Sequence, residues 1–469
     1  MQLELYFNVM ILKLTKLKFT LLVFSLCFGS ILLAQTSFNL KKVKSSKIRF
    51  QLINNIIVLP IELNGVKLSF VLDTGVSRPI LFNLANLDSL QIKNTEQSFL
   101  RGLGNKGTIT AIRSRGNLIK VGEAIAVNRD ISMVFDPTIN FTSRLGVPVH
   151  GIIGYDIFKD FIVEMNYQSK YIRLHKQHSF KKPKSSSWQE VGIEIIKRKP
   201  YINGVVYDNS NTIPVKLLID TGGSDALWLF EGSKQDIKIP EDKYFKDFLG
   251  KGLSGPVYGK RSKVNAFSLG DFRLNDVNVA YPDSLYLSIA TKIKERNGSV
   301  SGNILRRFNL FFDYQSGRLW FKKNSSFKLP FYYNNSGITV EQNGYRVVKE
   351  KQTSSRLDSY GRNISDNSKG IDLTDIYRLV LRPSFQVVEL RENSNAKHAG
   401  VQLGDIILSI NGNETSAMSL QEVNSYFYDR KGKMIRLKIE RDKEVIVMRF
   451  ALDDVFQKKE PIVNSIDSN

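Results

Sequence analysis

One cysteine, Cys27, and four histidines are the only thiol and imidazole groups in a chain of 469 residues. A single thiol closes no disulfide within the chain, so packing alone has to stabilise the core. His150, His175, His178 and His398 show no metal-ligand spacing, and no Cys/His cluster is there to join them. No metal and no cofactor are therefore expected. Glycine loops of the kind that cradle phosphates are missing as well, which sets nucleotide-driven chemistry aside. Long apolar runs are also scarce. The stretch at residues 19–33 is fifteen residues long and broken by Ser25, Gly29 and Ser30, too short for a comfortable membrane span. Lys13, Lys16 and Lys18 precede it and Ala34-Gln35 offers a cleavage point, so residues 1–34 read as a secretory signal peptide. The expected location is then secreted or periplasmic, with no integral span after cleavage. Retention of the segment as an anchor is the alternative.

The formal net charge is +22, from 67 basic and 45 acidic residues. Such a charge favours anionic surfaces. The basic residues are scattered, however, and only residues 176–184 form a modest cluster. A lysine-rich solvated surface is the reading, with no nucleic-acid partner expected.

What the chain does contain is a phrase written twice. Phe70-Val71-Leu72-Asp73-Thr74-Gly75-Val76-Ser77 is answered by Leu217-Leu218-Ile219-Asp220-Thr221-Gly222-Gly223-Ser224. Chance would supply roughly 0.1 Asp-Thr-Gly triplets in a chain of this length. The aspartates are 147 residues apart, and the same offset relates Asp156 to Asn303 and Asn166-Tyr167-Gln168-Ser169 to Asp313-Tyr314-Gln315-Ser316. Between these anchors, Phe99-Leu100-Arg101-Gly102-Leu103-Gly104 resembles Phe248-Leu249 followed by Gly252-Leu253-Ser254, with a few residues of slippage. The repeat unit is a whole lobe rather than a solenoid turn.

Within each lobe the pattern is all-β. Ile56-Ile57-Val58-Leu59-Pro60-Ile61-Glu62-Leu63 and Val66-Lys67-Leu68-Ser69-Phe70-Val71-Leu72 flank Asn64-Gly65, a strong hairpin signal. Each aspartate ends a buried strand, and the following Thr-Gly makes a sharp turn. Gly151-Ile152-Ile153-Gly154-Tyr155-Asp156 and Ser301-Gly302-Asn303 read as tight glycine turns entering short helices.

On these residues the lobes resemble the pepsin and retropepsin superfamily of aspartic proteases, in the bacterial form with two lobes on one chain. Asp-Thr-Gly-x-Ser and the later apolar-Gly-x-Asp/Asn turn are the family's two signatures, and both occur twice over about residues 50–323. The resemblance implies two β-barrel lobes around a cleft and a catalytic pair, Asp73 and Asp220. Two adjacent carboxylates cannot both ionise cheaply and so share a proton, a coupling for which aspartic proteases are themselves the standard example. One carboxylate would activate a water and the other would protonate the peptide carbonyl. Thr74 and Thr221 would cross-brace the loops, Gly75 and Gly222 would let the backbone close on the carboxylates, and Ser77 and Ser224 would support them. Val76 and Gly223 stand where pepsin-like enzymes place a hydroxyl that lowers the dyad pKa. The dyad is accordingly expected to titrate higher than a gastric one, with activity nearer neutral pH. A mobile flap is expected around Gly102, Gly104 and Gly107, without the tyrosine that pepsin-like enzymes carry there.

Further on, Phe385-Gln386-Val387-Val388-Glu389-Leu390 precedes Asn393-Ser394-Asn395-Ala396-Lys397-His398-Ala399-Gly400 and Gly404-Asp405-Ile406-Ile407-Leu408-Ser409-Ile410-Asn411-Gly412. This string resembles the core of a bacterial PDZ domain. The resemblance implies a groove that takes an extended peptide as an added strand, its carboxyl terminus held in a backbone nest. That nest would fall at Arg382-Pro383-Ser384-Phe385, with Phe385, Leu420 and Val423 lining the pocket. The expected organisation is a signal at 1–34, lobe one at 35–176, a linker at 177–187 and lobe two at 188–323. A polar linker at 324–369, a PDZ domain at 370–452 and a polar tail at 453–469 complete it. The function implied is an aspartic endopeptidase acting on extended protein segments, with the PDZ domain available to a C-terminal peptide ligand. The alternative is a non-catalytic peptide-binding scaffold that keeps the fold.

Overall fold

A computed structural model describes residues 37–82, 90–104, 107–208, 211–287, 295–352 and 376–456. The expected signal segment, most of the polar tail and much of the expected linker at 324–369 lie outside the described residues. Among the described residues no helix is long and apolar enough to cross a membrane. The architecture is all-β, with two strand-rich lobes and a smaller C-terminal β-rich domain.

The lobes repeat each other strand for strand. Lobe one is an eight-stranded sheet in which Ile56–Leu63, Val66–Leu72, Gly151–Ile153 and Ile80–Phe82 lie side by side, followed by Ala124–Val134, Thr108–Val121 and Thr95–Arg101. Lobe two answers with Lys199–Asp208, Asn211–Asp220, Gly298–Ser301 and Leu227–Leu229, then Phe272–Pro282, Gly255–Leu269 and Phe245–Gly252. In each lobe the first of these strands also pairs with the long hairpin strand, which curls the sheet toward a barrel. The Asn64-Gly65 hairpin has positive φ at both turn residues, +48° and +88°, as a two-residue turn joining right-twisted strands requires.

The strands that deliver the aspartates are buried on both faces. Phe70, Val71 and Leu72 are 4% exposed or less, as are Leu217, Leu218 and Ile219. Such unbroken apolar runs are the signature of parallel pairing in a sheet's interior. Indeed Leu72 pairs in parallel with Ile153, and Ile219 with Val300, again at the 147-residue offset.

A third sheet joins the lobes. Its order runs Ser45–Arg49, Tyr171–His175, Ile162–Asn166 from lobe one, then Phe308–Asp313, Arg318–Lys323 and Gln189–Gly192 from lobe two. The seam is the antiparallel pair Val163↔Phe312 and Met165↔Leu310. Phe158 fills the space above it, edge-on to Phe312 at 5.5 Å and stacked on Tyr314 at 5.0 Å. The ladder from Val163↔Phe312 to Asn166↔Asn309 holds the lobes in one register, and that register fixes the geometry of anything at their junction.

The C-terminal domain begins earlier than residue 370. Ile338–Gln352 pairs along its length with Ile376–Leu390, so about a third of the expected linker at 324–369 is the domain's first strand. The sheet continues through Ile406–Ile410, Met434–Arg441 and Glu444–Ala451, leaving Ile338–Gln352 at an edge. A short helix, Leu420–Ser425, starts from a capping box of Ser419 and Glu422.

Candidate active site

Asp73 follows the last residue of its strand and Asp220 ends its own. The loops after them meet at the lobe junction. The Thr74 N–H donates to Thr221 Oγ1 at 3.0 Å, and the Thr221 N–H donates to Thr74 Oγ1 at 3.1 Å. Each hydroxyl in turn donates across the junction, Thr74 to the Ile219 carbonyl at 2.6 Å and Thr221 to the Leu72 carbonyl at 2.8 Å. Both threonines are essentially buried, so each unmade bond would leave a desolvated polar group costing about 1–3 kcal/mol. This brace holds the two aspartates at a fixed separation.

The carboxyl groups converge. A Cβ added at Gly75 would lie 3.0 Å from Asp73 Oδ1 and 3.9 Å from Asp220 Oδ1, so both oxygens border one point. The Gly75 N–H donates to Asp73 Oδ1 at 2.6 Å and the Gly222 N–H to Asp220 Oδ1 at 3.0 Å. Below, Gly154 passes so close that a Cβ there would meet the Asp73 carbonyl oxygen at 1.9 Å, and a Cβ at Gly302 would meet the Asn55 and Gly223 carbonyl oxygens at 2.4 and 2.8 Å.

Burial, and after it the charge of Asp220, pushes the Asp73 carboxyl up to about 7, against the opposing pull of the Gly75 N–H and the Lys199 ammonium. Asp220 is also raised, by burial, with Arg296 the largest opposing influence. A pair so placed holds one proton across the mildly acidic range, and its titration belongs to the pair. Lys199 and Arg296 were not singled out from sequence. Arg296 is fixed by the Gly298 carbonyl at 3.0 Å and Ser299 Oγ at 2.7 Å. Their signal was faint, since they sit among scattered basic residues. Lys199→Met removes a cation that favours the ionised dyad. The alkaline limb of any pH–rate profile should therefore move to higher pH, and an unmoved limb would exclude Lys199 from the site's electrostatics.

Two hairpins meet tip to tip, where sequence reasoning placed one flap. Thr95–Arg101 and Thr108–Val121 form the first, and Gly102, Gly104 and Gly107 lie at its tip. Phe245–Gly252 and Gly255–Leu269 form the second. Their tips interlock. The Ser254 N–H donates to the Leu103 carbonyl at 2.9 Å, the Gly102 N–H to Ser254 Oγ at 3.1 Å, and that hydroxyl to the Gly107 carbonyl at 2.8 Å. Leu253 packs into the apolar cluster of lobe one and Leu103 into that of lobe two. Gly104 has φ +131° and a Cβ there would strike the Ser254 carbonyl carbon at 2.3 Å, so this close crossing demands glycine. Tyr258 on the second hairpin gives its hydroxyl to Glu389 of the C-terminal domain.

Several expected roles need correction. Ser77 does not support Asp73, since its hydroxyl reaches the Lys197 carbonyl of the other lobe at 3.5 Å. Ser224 acts through its carbonyl, which accepts from Asn55 Nδ2 at 2.8 Å. Both serines tie the lobes together instead. In the C-terminal domain Phe385 and Val423 are 1% exposed or less and pack with Ile338, Val340 and Phe427, while Leu420, equally buried, is also covered by Gly146 of lobe one, so none lines an open pocket. Arg382-Pro383-Ser384-Phe385 lies inside a paired strand and cannot form a nest. The turn before the edge strand is Asn334-Asn335-Ser336-Gly337. There the Ser336 and Gly337 N–H groups donate to Asn334 Oδ1 at 3.1 and 3.3 Å, and the Ile338 N–H to Ser336 Oγ at 3.0 Å. These N–H groups are thus satisfied by the turn's own side chains.

Residues 59–157 and 201–305 both match the family model described as aspartyl protease, and residues 386–441 match that of the PDZ domain. The chain is a duplicated aspartyl protease domain carrying a C-terminal PDZ domain. No curated protein matches it significantly.

Proposed function

We propose that the chain is an aspartic endopeptidase that hydrolyses peptide bonds in extended protein segments. The observation carrying this reading is the convergence of the Asp73 and Asp220 carboxyls at a braced junction between lobes whose flaps interlock. A water hydrogen-bonded between the carboxyls loses a proton to the ionised partner as its oxygen attacks the peptide carbonyl carbon. The protonated partner gives its proton to the carbonyl oxygen, forming a neutral gem-diol. Collapse breaks the C–N bond as the newly protonated carboxyl gives its proton to the leaving nitrogen and the other carboxylate takes one from a gem-diol hydroxyl, restoring the shared proton. The N–H groups of Gly75 and Gly222 orient the carboxylates throughout, and the flaps exclude bulk water. A peptide enters such a cleft extended, because the flaps close over a strand-like backbone. Secretion, or residence in the periplasm, is proposed from the basic, apolar segment at residues 1–34.

The test is incubation of the purified mature chain with a mixed peptide library from pH 3 to 8, beside an Asp220→Asn control. Cleavage by the parent alone is the expected result. Absence of cleavage at every pH by a folded chain would favour a peptide-binding scaffold.

A further inference from the structure

The PDZ domain is turned toward the protease, and its contacts fall on the second flap and on the lobe-one helix that touches that flap. Arg144, in the lobe-one helix Phe141–Leu145, donates through Nη1 to the Lys251 carbonyl at 2.9 Å, one residue from the Gly252 tip. Its Nε lies 3.6 Å from Glu341 on the PDZ edge strand. Tyr258 on the flap's inner strand donates to Glu389 at 3.0 Å. Asp247 at the flap's base accepts from Arg391 at 3.3 Å, and the Arg391 guanidinium lies over the Phe245 ring at 4.5 Å. Glu341, Glu389 and Arg391 all belong to the PDZ edge hairpin or follow it directly.

The same lobe-one segment also covers the PDZ groove. Gly146 caps the helix at φ +68°, and a Cβ there would meet Leu420 Cβ at 2.7 Å and Gln342 Oε1 at 3.6 Å. The segment thus reaches both walls of the groove, the edge strand and the helix Leu420–Ser425. A strand added along the edge at residues 338–342 would have to displace it.

We propose that the PDZ domain is a latch on the second flap, with Arg144 as the pin that joins groove, lobe-one helix and flap tip. The flap tips interlock, so on the peptidase reading substrate enters only when they part. The latch holds the second flap from its outer side and sets how often that happens. Occupancy of the groove by an extended peptide and closure of the latch exclude one another, so each weakens the other to the same degree. The latch rests on the peptidase reading for its consequence but not for its existence.

The experiment therefore reads two quantities on the full mature chain. A Glu341→Gln, Glu389→Gln variant removes the PDZ charges while keeping shape and hydrogen-bonding capacity, and both positions are partly exposed, so the fold is retained. Amide exchange over residues 245–256 is expected to quicken roughly three- to tenfold, the scale of one partly exposed ion pair and one hydrogen bond to a carboxylate. kcat/KM on a long peptide should rise in parallel. Tyr258→Phe removes one contact from the flap side and should move both readouts the same way by less. Unchanged exchange overturns the latch. Faster exchange with kcat/KM flat or lower overturns its control of substrate entry. Lack of cleavage by parent and variant alike would count against the peptidase reading, while the exchange data would still decide the latch.

Discussion

Asp73→Asn is expected to lower kcat/KM for peptide hydrolysis by at least about 10⁴-fold, because one carboxyl group serves as acid and base in successive steps. The same change should stabilise the protein at neutral pH. The sign follows from linkage. Asp73 is raised from 3.8 to about 7 in the folded state, so the native chain binds more protons than the unfolded chain between those values. Folding stability contributed by this group is therefore full below about pH 4 and is lost as pH rises toward 7. Asparagine carries no such dependence. Thermal unfolding of the variant and the parent should coincide near pH 3.5 and separate progressively toward pH 7, the variant being the more stable. An inactive variant that is less stable at pH 7 would mean that the site is not held under this strain.

Gly222→Ala should be nearly as damaging, for a steric reason. A Cβ at this position would sit 2.4 Å from Asp73 Cγ and 2.5 Å from Asp73 Oδ2. Contacts that short do not occur, so either the carboxyl or the braced loop has to move. The Thr74–Thr221 bonds resist movement of the loop, which directs the displacement onto Asp73. A displacement of about 1 Å at reacting groups costs on the order of 10²-fold, and here the dyad's shared proton is disturbed too. The predicted loss is therefore about 10²- to 10⁴-fold in kcat, with KM changing little. Gly192→Ala is the matched control, because a Cβ there meets nothing within 4 Å. Equal activity of the two variants would contradict the placement of Gly222 against Asp73.

The duplicated phrase around Asp73 and Asp220 was readable in sequence because its apolar approach strands have to be buried on both faces, which leaves little freedom of composition. The 147-residue offset also relates the parallel pair Leu72↔Ile153 to Ile219↔Val300, which join residues the same distance apart in each lobe. The second flap was visible only as a slipped repeat. A register shift between Phe248 and Gly250 breaks its alternation, and Gly250 there takes φ +141°. The function of Gly252-Leu253-Ser254 lies in contacts with the other lobe's tip, which no local pattern records. Lys199 and Arg296 reach the dyad only through the fold. The PDZ edge strand was hidden because a long polar stretch separates Ile338–Gln352 from its partner. The capped turn at residues 334–337 depends on where the Asn334 side chain turns.

The most direct test of the central claim is the pH dependence of kcat/KM for the mature chain on an extended peptide. A dyad sharing one proton predicts a bell, with activity lost on the acid side as both carboxyls protonate and on the alkaline side near pH 7 as both ionise. Activity that climbs steadily through pH 8, or that keeps its profile in the Asp73→Asn variant, would contradict hydrolysis by this pair of aspartates.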